Sequence, residues 1–232
     1  SMVYGILKLL NFAHGDIYMI GAYLGYGVLL LMNTPQGLLI PAALVIVLML
    51  AAAMAGAGLV SVAVERFAYR PLRNAPRIAP LISALGVSFV LQNLVQITVS
   101  PRPLSYGSGT LIPMNANLML GDLRVHVSRV LVIGTAVLLM LLLSYLVQRT
   151  RWGRAMRAVA TDMDAAAMMG VNVTGVVVTT FFVGALLAGA AGVLVGVVFL
   201  SVRHTMGFLA GLKGFTAAVV GGIGSIPGAV LG

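Results

Sequence analysis

The chain has 232 residues, 60% of them hydrophobic and only 8% charged, where a soluble domain carries about a quarter charged residues. So few charges cannot cover a water-exposed surface, and a mean hydropathy of +1.08 places most of the chain in lipid. The net charge of +9 would suggest nucleic acid in a soluble protein; here the bases sit between apolar runs, where the positive-inside rule accounts for them, and no nucleic-acid partner is expected.

The chain holds no cysteine, which excludes disulfides and thiolate metal sites. His14, His126 and His204 lie too far apart in sequence for metal-ligand spacing. Neither a metal nor a cofactor is expected.

A helix needs about 20 apolar residues to cross a bilayer core. Residues 2–10 are apolar but short, contain Lys8, and read as the tail of a span. Asn11, His14, Gly15 and Asp16 form a polar interruption, and 17–32 is the next span. Residues 33–37 are a turn, and 38–64 an apolar span rich in Ala and Gly that ends at Glu65. The span 78–99 carries Gln92, Asn93 and Gln96. A long polar connection with Pro101, Pro103 and Pro113 covers 100–128, followed by a Leu/Val span over 129–147. Residues 149–172 are basic at the start and Ala-rich after it. The span 173–200 contains Gly184, Gly189, Gly192 and Gly196. Residues 201–213 are a polar interruption, and 215–232 a last apolar stretch. Nothing at the start reads as a cleavable signal peptide. The abrupt start and the Gly-rich end over 221–232 predict a chain truncated at both ends. The expected fold is all-α: one polytopic transmembrane helical bundle, 1–232, with broken helices.

Eight of the 14 basic residues fall in two islands, 66–77 and 149–157. The positive-inside rule puts such islands in the cytoplasm. Loops 65–77 and 149–172 are therefore expected inside. With two spans between them, 100–128 is expected outside.

Glycines at four-residue spacing recur as Gly21/Gly25, Gly192/Gly196 and Gly224/Gly228. Such strips let helix backbones approach closely, either within this chain or against a second subunit or moving helix. The 13 methionines, Met168 and Met169 among them, read as apolar filler.

Ionisable residues at membrane depth are costly and line cavities or helix breaks. Gly15 would permit a break beside His14 and Asp16, and discontinuous helices in transporters lie near substrate. A second Gly-rich interruption holds Gly211, Gly214, Gly221 and Gly224. His14 and Asp16 admit three readings: a structural hydrogen-bond pair, pathway lining with Asn11, or a proton relay. Gln92 and Asn93 either line a polar pathway or bond neighbouring helices.

The Ala-rich composition of 151–170 predicts one short helix, with Gly170 and Asn172 as its stop. Arg154, Arg157 and Thr161 recur at helical spacing, so one edge is basic. The small side chains elsewhere suit a groove on another protein. Arginines meeting anionic lipid are the equal alternative.

The chain also resembles the branched-chain amino acid ABC permease family, the Liv-type membrane subunits, and in particular their H-like member. The resemblance rests on Asn11-Phe-Ala-His-Gly15 with Tyr18-Met-Ile-Gly21-Ala-Tyr23; Glu65-Arg66-Phe-Ala-Tyr69-Arg70-Pro71-Leu-Arg73; Leu81-Ile-Ser83-Ala-Leu-Gly86; Gly153-Arg154-Ala-Met-Arg157-Ala158 through Asp162 to Gly170-Val-Asn172; and Ala210-Gly211-Leu-Lys213-Gly214-Phe-Thr216 through Gly228. It implies an importer of the bacterial inner membrane. A periplasmic binding protein would deliver a branched-chain or related amino acid, a second permease subunit would complete the pathway, and two separate ATP-binding subunits would drive it. Residues 153–172 resemble the loop that docks on those ATPases, with Gly153, Arg154, Arg157, Ala158, Asp162, Gly170 and Asn172 as its matching positions, although the strict Glu-Ala-Ala form is absent. No phosphate-cradling Gly-x-x-x-x-Gly-Lys-Ser/Thr loop occurs, so the chain itself is not expected to be an enzyme. Similar permeases serve urea or short amides. The alternatives from other classes are a stand-alone proton-coupled transporter using His14 and Asp16, and a structural membrane protein with no pathway.

Overall fold

The computed structural model describes residues 13–34, 37–72, 75–76, 78–106, 111, 117–120, 123–222 and 228. Helix α1 (Ala13–Met32) leads through a minimal antiparallel pair, β1 (Asn33–Thr34) and β2 (Gly37–Leu38), into α2 (Ala42–Val64). After α2 the helix does not stop at Glu65 as expected. It continues as a π-helical turn, Glu65–Tyr69, and a 3-10 turn, Arg70–Leu72, where Pro71 removes the amide that would extend the ladder. Helix α3 (Ile78–Thr98) and strand β3 (Leu104–Ser105) follow. The connection read as irregular over 100–128 also carries a hairpin, β4 (Asn117–Leu120) with β5 (Leu123–His126). Helices α4 (Val127–Arg149), α5 (Arg151–Thr161), α6 (Met163–Met168) and α7 (Val173–Phe199), strand β6 (Ser201–Val202) and helix α8 (Met206–Val220) complete the order. Among the described residues, five helical stretches are long and apolar enough to cross a membrane: α1, Ala42–Leu72, α3, α4 and α7. The protein is a helical, multi-pass membrane protein.

At Gly15, where a break was expected, the chain is helical, and the residues before Ala13 lie outside the described ones. Gly15 and Asp16 lie in the first turn of α1. Lipid supplies no hydrogen bonds to an opened backbone, so a helical glycine, at about 1 kcal/mol, is cheaper than a break. Gly211 and Gly214 likewise sit inside α8 rather than interrupting it. Gly221 closes α8, its N–H reaching the Ala217 carbonyl, and Gly222, at φ +92°, donates to the Val219 carbonyl. Asn11 and Gly224 lie outside the described residues. The real interruption falls between α7 and α8. Leu200 adopts left-handed φ 54°, and β6 then pairs antiparallel with β3, Leu104 opposite Val202.

Helix α1 is the centre of the bundle, packed between α2 and α7 and against α8. Met19, Ala22, Tyr23, Met49, Ala53 and Val193 are all buried at its junctions. The contacts are backbone to backbone at three levels. A Cβ on Gly15 would lie 3.0 Å from the Gly211 Cα. One on Gly21 would lie 2.8 Å from the Gly189 carbonyl oxygen, and one on Gly192 would lie 2.8 Å from the Ala22 nitrogen. Gly21 and Gly192 therefore do what their spacing predicts. Gly25 and Gly196 do something else: their missing side chains make a slot for the Tyr106 ring. That ring is fully buried, its hydroxyl donates to the Ala22 carbonyl, and it tilts against Tyr26 at 6.0 Å. A connection between spans is thereby bolted into the bundle.

Helix α4 is the opposite case. Ile133, Leu138, Leu141, Leu142 and Tyr145 all face outward, so lipid or another subunit is its natural solvent.

Candidate functional site

Asp16 is fully buried at the junction of α1, α3 and α8. Its Oδ1 accepts from Gln92 Nε2 at 3.0 Å, and the same Nε2 lies 3.1 Å from Ser88 Oγ. Ser88 sits one turn before Gln92, so both reach α1 from one face of α3. Its Oδ1 also lies 2.7 Å from where a Cβ on Gly207 would be. Gly207 is the second residue of α8. The carboxyl group therefore sits in the first turn of its own helix and against the first turn of another. Oδ2 has no hydrogen-bond partner among the described residues.

The sequence candidates divide accordingly. Asp16 and Gln92 come together. His14 does not join them: its buried Nδ1 has no partner among the described residues, and residues two apart on a helix project to different sides. The expected His14–Asp16 pair is therefore replaced by Asp16–Gln92. Asn93 is exposed and bonds back to the Phe89 carbonyl of its own helix at 2.8 Å, 100° around from Gln92. Ser88 and Gly207 were missed. Ser88 is legible afterwards as the residue one turn from Gln92, whereas nothing local marks Gly207.

The second candidate region is the segment between α4 and α7. Residues 151–170 do not form one helix. Asp162 breaks it, its carboxylate accepting from the amides of Asp164 (2.9 Å) and Ala165 (3.0 Å); Asp competes with the helix ladder in this way and starts a new helix instead. Thr150 caps α5 through the Gly153 amide at 3.0 Å. Asn172 is not part of the stop. It begins α7, accepting from Gly175 N at 3.0 Å. Gly170 does end α6, at φ +80°, with the paired Val171–Ala166 and Gly170–Ala167 bonds of a Schellman closure.

Helix α5 buries Gly153, Met156 and Val159 against Val147, Val176 and Val177 of the neighbouring spans. A Cβ on Gly153 would lie 2.5 Å from the Leu146 carbonyl oxygen, so only glycine lets α5 lie across the end of α4. The Arg157 guanidinium donates to the Val147 carbonyl and tethers the same joint. Arg151, Arg154, Ala158, Asp162, Gly170 and Asn172 remain exposed. The segment is thus a rigid elbow: α5 is fixed to α4, α6 to the start of α7, and the polar edge points away.

Comparison with known proteins bears on the chain as a whole. The family model described as branched-chain amino acid transport system / permease component matches residues 1–232. The high-affinity branched-chain amino acid transport system permease protein BraD of Pseudomonas aeruginosa is 40% identical over 239 residues, covering 100% of this chain and 75% of BraD. The corresponding LivH of Escherichia coli K12 is 39% identical over 241 residues, covering 100% of this chain and 75% of LivH. The fructose import permease protein FrcC of Rhizobium meliloti is 41% identical over 103 residues, 41% of this chain and 28% of FrcC. No solved structure matches the chain. A bundle of span-length apolar helices, matched from end to end by one family of transport components, belongs to the branched-chain amino acid transport permease family.

Proposed function

We propose that this chain is the membrane-spanning permease subunit of a binding-protein-dependent ABC importer in the bacterial inner membrane, carrying branched-chain or related amino acids. The observation that carries this reading is the identity of 39–40% with LivH and BraD across all of this chain. ATP hydrolysis belongs to two separate subunits, a second permease completes the pathway, and a periplasmic protein hands over the cargo. The elbow 151–172 and the turn after α2 face the cytoplasm, and the β4–β5 side faces out, as the arginine distribution favours.

The geometry supports a mechanical role for the elbow. Gly153 and Arg157 tie α5 to the end of α4, while Asn172 starts α7 directly after α6. A partner that pulls on the elbow moves the ends of two spans at once. Helix α7 packs on α1, which holds Asp16, so the displacement reaches the buried polar cluster through continuous packing. ATP-linked motion of the partner then shifts the bundle between outward- and inward-open arrangements.

Charge reversal of the elbow tests the docking. Arg151→Glu with Arg154→Glu spares the Arg157 tether. It is expected to weaken co-purification of the cognate ATPase subunits by about tenfold, with membrane insertion unchanged. Full co-purification would count against docking here. The drive is tested separately. In vesicles loaded with ATP, uptake is expected to persist when a protonophore collapses the proton gradient; loss of uptake would favour a proton-coupled carrier.

A further inference from the structure

Met168 and Met169 are not filler. They are 83% and 84% exposed, at the tip of α6. Ile97, equally exposed at 83%, lies near the end of α3, a helix of span length whose natural surroundings are lipid. The methionine pair does not: α6 has six residues and joins two spans through capped turns. The tip is also rigid. Asp162 holds the first turn through two amides, the Schellman closure at Gly170 holds the last, and Ala166 anchors the buried side. A flexible loop would bury such side chains. Here the backbone fixes them outward.

We propose that Met168 and Met169 are the anchor by which the elbow seats in an apolar groove on the ATPase subunit, with a basic group on the groove's rim facing Asp164. This rests on the docking reading above. Charge decides between a protein groove and the membrane surface. No Lys or Arg occurs from 158 to 172, while Asp162 and Asp164 are both exposed. Anionic headgroups repel such a flank, and a lipid-inserting tip carries bases beside its apolar residues. A protein groove accepts it. The arginines of α5 are the weaker part of the surface: Arg157 already bonds within its own chain, and exposed charges act chiefly on encounter rate. Methionine suits the anchor because its unbranched thioether adapts to an irregular groove. A preformed tip also spares ordering entropy on binding.

The chain has no native cysteine, so single cysteines report contacts without background. In membranes holding the complete transporter, Met169→Cys and, separately, Thr161→Cys carry a photoactivatable cross-linker. Both are expected to capture the ATPase subunit. Capture from Thr161 alone would overturn the methionine anchor and leave docking standing. Capture from neither would overturn docking and the anchor together. Capture of lipid from position 169 would also overturn the anchor. In a binding measurement on the detergent-solubilised permease, Met168→Asp with Met169→Asp is expected to weaken ATPase association by ~30-fold or more. Met168→Leu with Met169→Leu is expected to stay within about threefold. Equal affinity of the Asp and Leu variants would refute the proposal.

Discussion

Gly192→Val is expected to cost more than about 3 kcal/mol, enough to leave little folded protein after extraction into detergent. The reason is that Gly192 meets backbone rather than side chain. Its Cβ would run into the Tyr18 carbonyl and lie 2.8 Å from the Ala22 nitrogen, and neither atom can rotate away. Moving α1 outward to make room would also strip its contacts with α2 and α8, since one helix is shared by all of them. Gly21→Val is expected to behave the same way against Gly189. Gly27, Gly134 and Gly214 are the internal controls. Nothing lies within 4 Å of a Cβ at any of them, so their valine variants are expected to stay within about 1 kcal/mol of the parent. The check is the midpoint of thermal unfolding, read by size-exclusion chromatography after heating. A Gly192 variant as stable as the Gly134 variant would show that the α1–α7 contact is looser than described.

The second large effect is expected at the buried carboxyl group. Gln92→Leu removes the amide donor to Asp16 Oδ1 and the partner of Ser88, and Oδ2 already lacks a partner among the described residues. A buried acceptor of this kind without a donor costs about 2–5 kcal/mol. Removing both partners, Asp16→Leu with Gln92→Leu, takes away the unpaired group along with its donor and is expected to recover most of that stability. Transport is expected to behave differently. If the cluster carries the signal from α7 to α3 and α8, the double variant folds, binds the ATPase subunits, and still fails to accumulate cargo in reconstituted vesicles. Normal uptake by the double variant would reduce Asp16 and Gln92 to packing.

Much of this architecture can be read from residue order because lipid allows so few solutions. An uncharged run of span length has to be a helix, and the runs at 17–32, 78–99, 129–147 and 173–200 became helices within a few residues of their expected ends, while the run at 38–64 continued to Leu72 and the last one started early, at Met206. The departures have local causes. The break expected at Gly15 rested on glycine permitting an open backbone, whereas Gly15 itself lies in a helix that runs from Ala13 on. Asp162 split one expected helix because a capping carboxylate outcompetes the ladder locally. The strips at Gly21 and Gly192 were legible as helix contacts. Their neighbours Gly25 and Gly196 were not legible as a tyrosine slot, because Tyr106 arrives from about 80 residues away and leaves no periodic trace. Asp16 stood out as a charge in an apolar stretch. Gln92 stood out as a polar residue in a span, but its pairing with Asp16 did not, and Gly207 left no sign at all, since both meet Asp16 only through tertiary packing. Asn93, adjacent to Gln92 in sequence, does not join the cluster, because one residue along a helix turns the side chain by 100°.

The central position of α1 sets a schedule for biogenesis. The glycines of α1 mate with Gly189 and Gly192, which leave the ribosome roughly 170 residues later. At ~5–20 residues per second, that is a wait on the order of ten to thirty seconds. Throughout it, a helix bearing a carboxylate and a bare glycine seam has entered the bilayer without its mate. The nascent chain therefore depends on the insertion machinery, or on a membrane chaperone, to shelter that helix until α7 emerges.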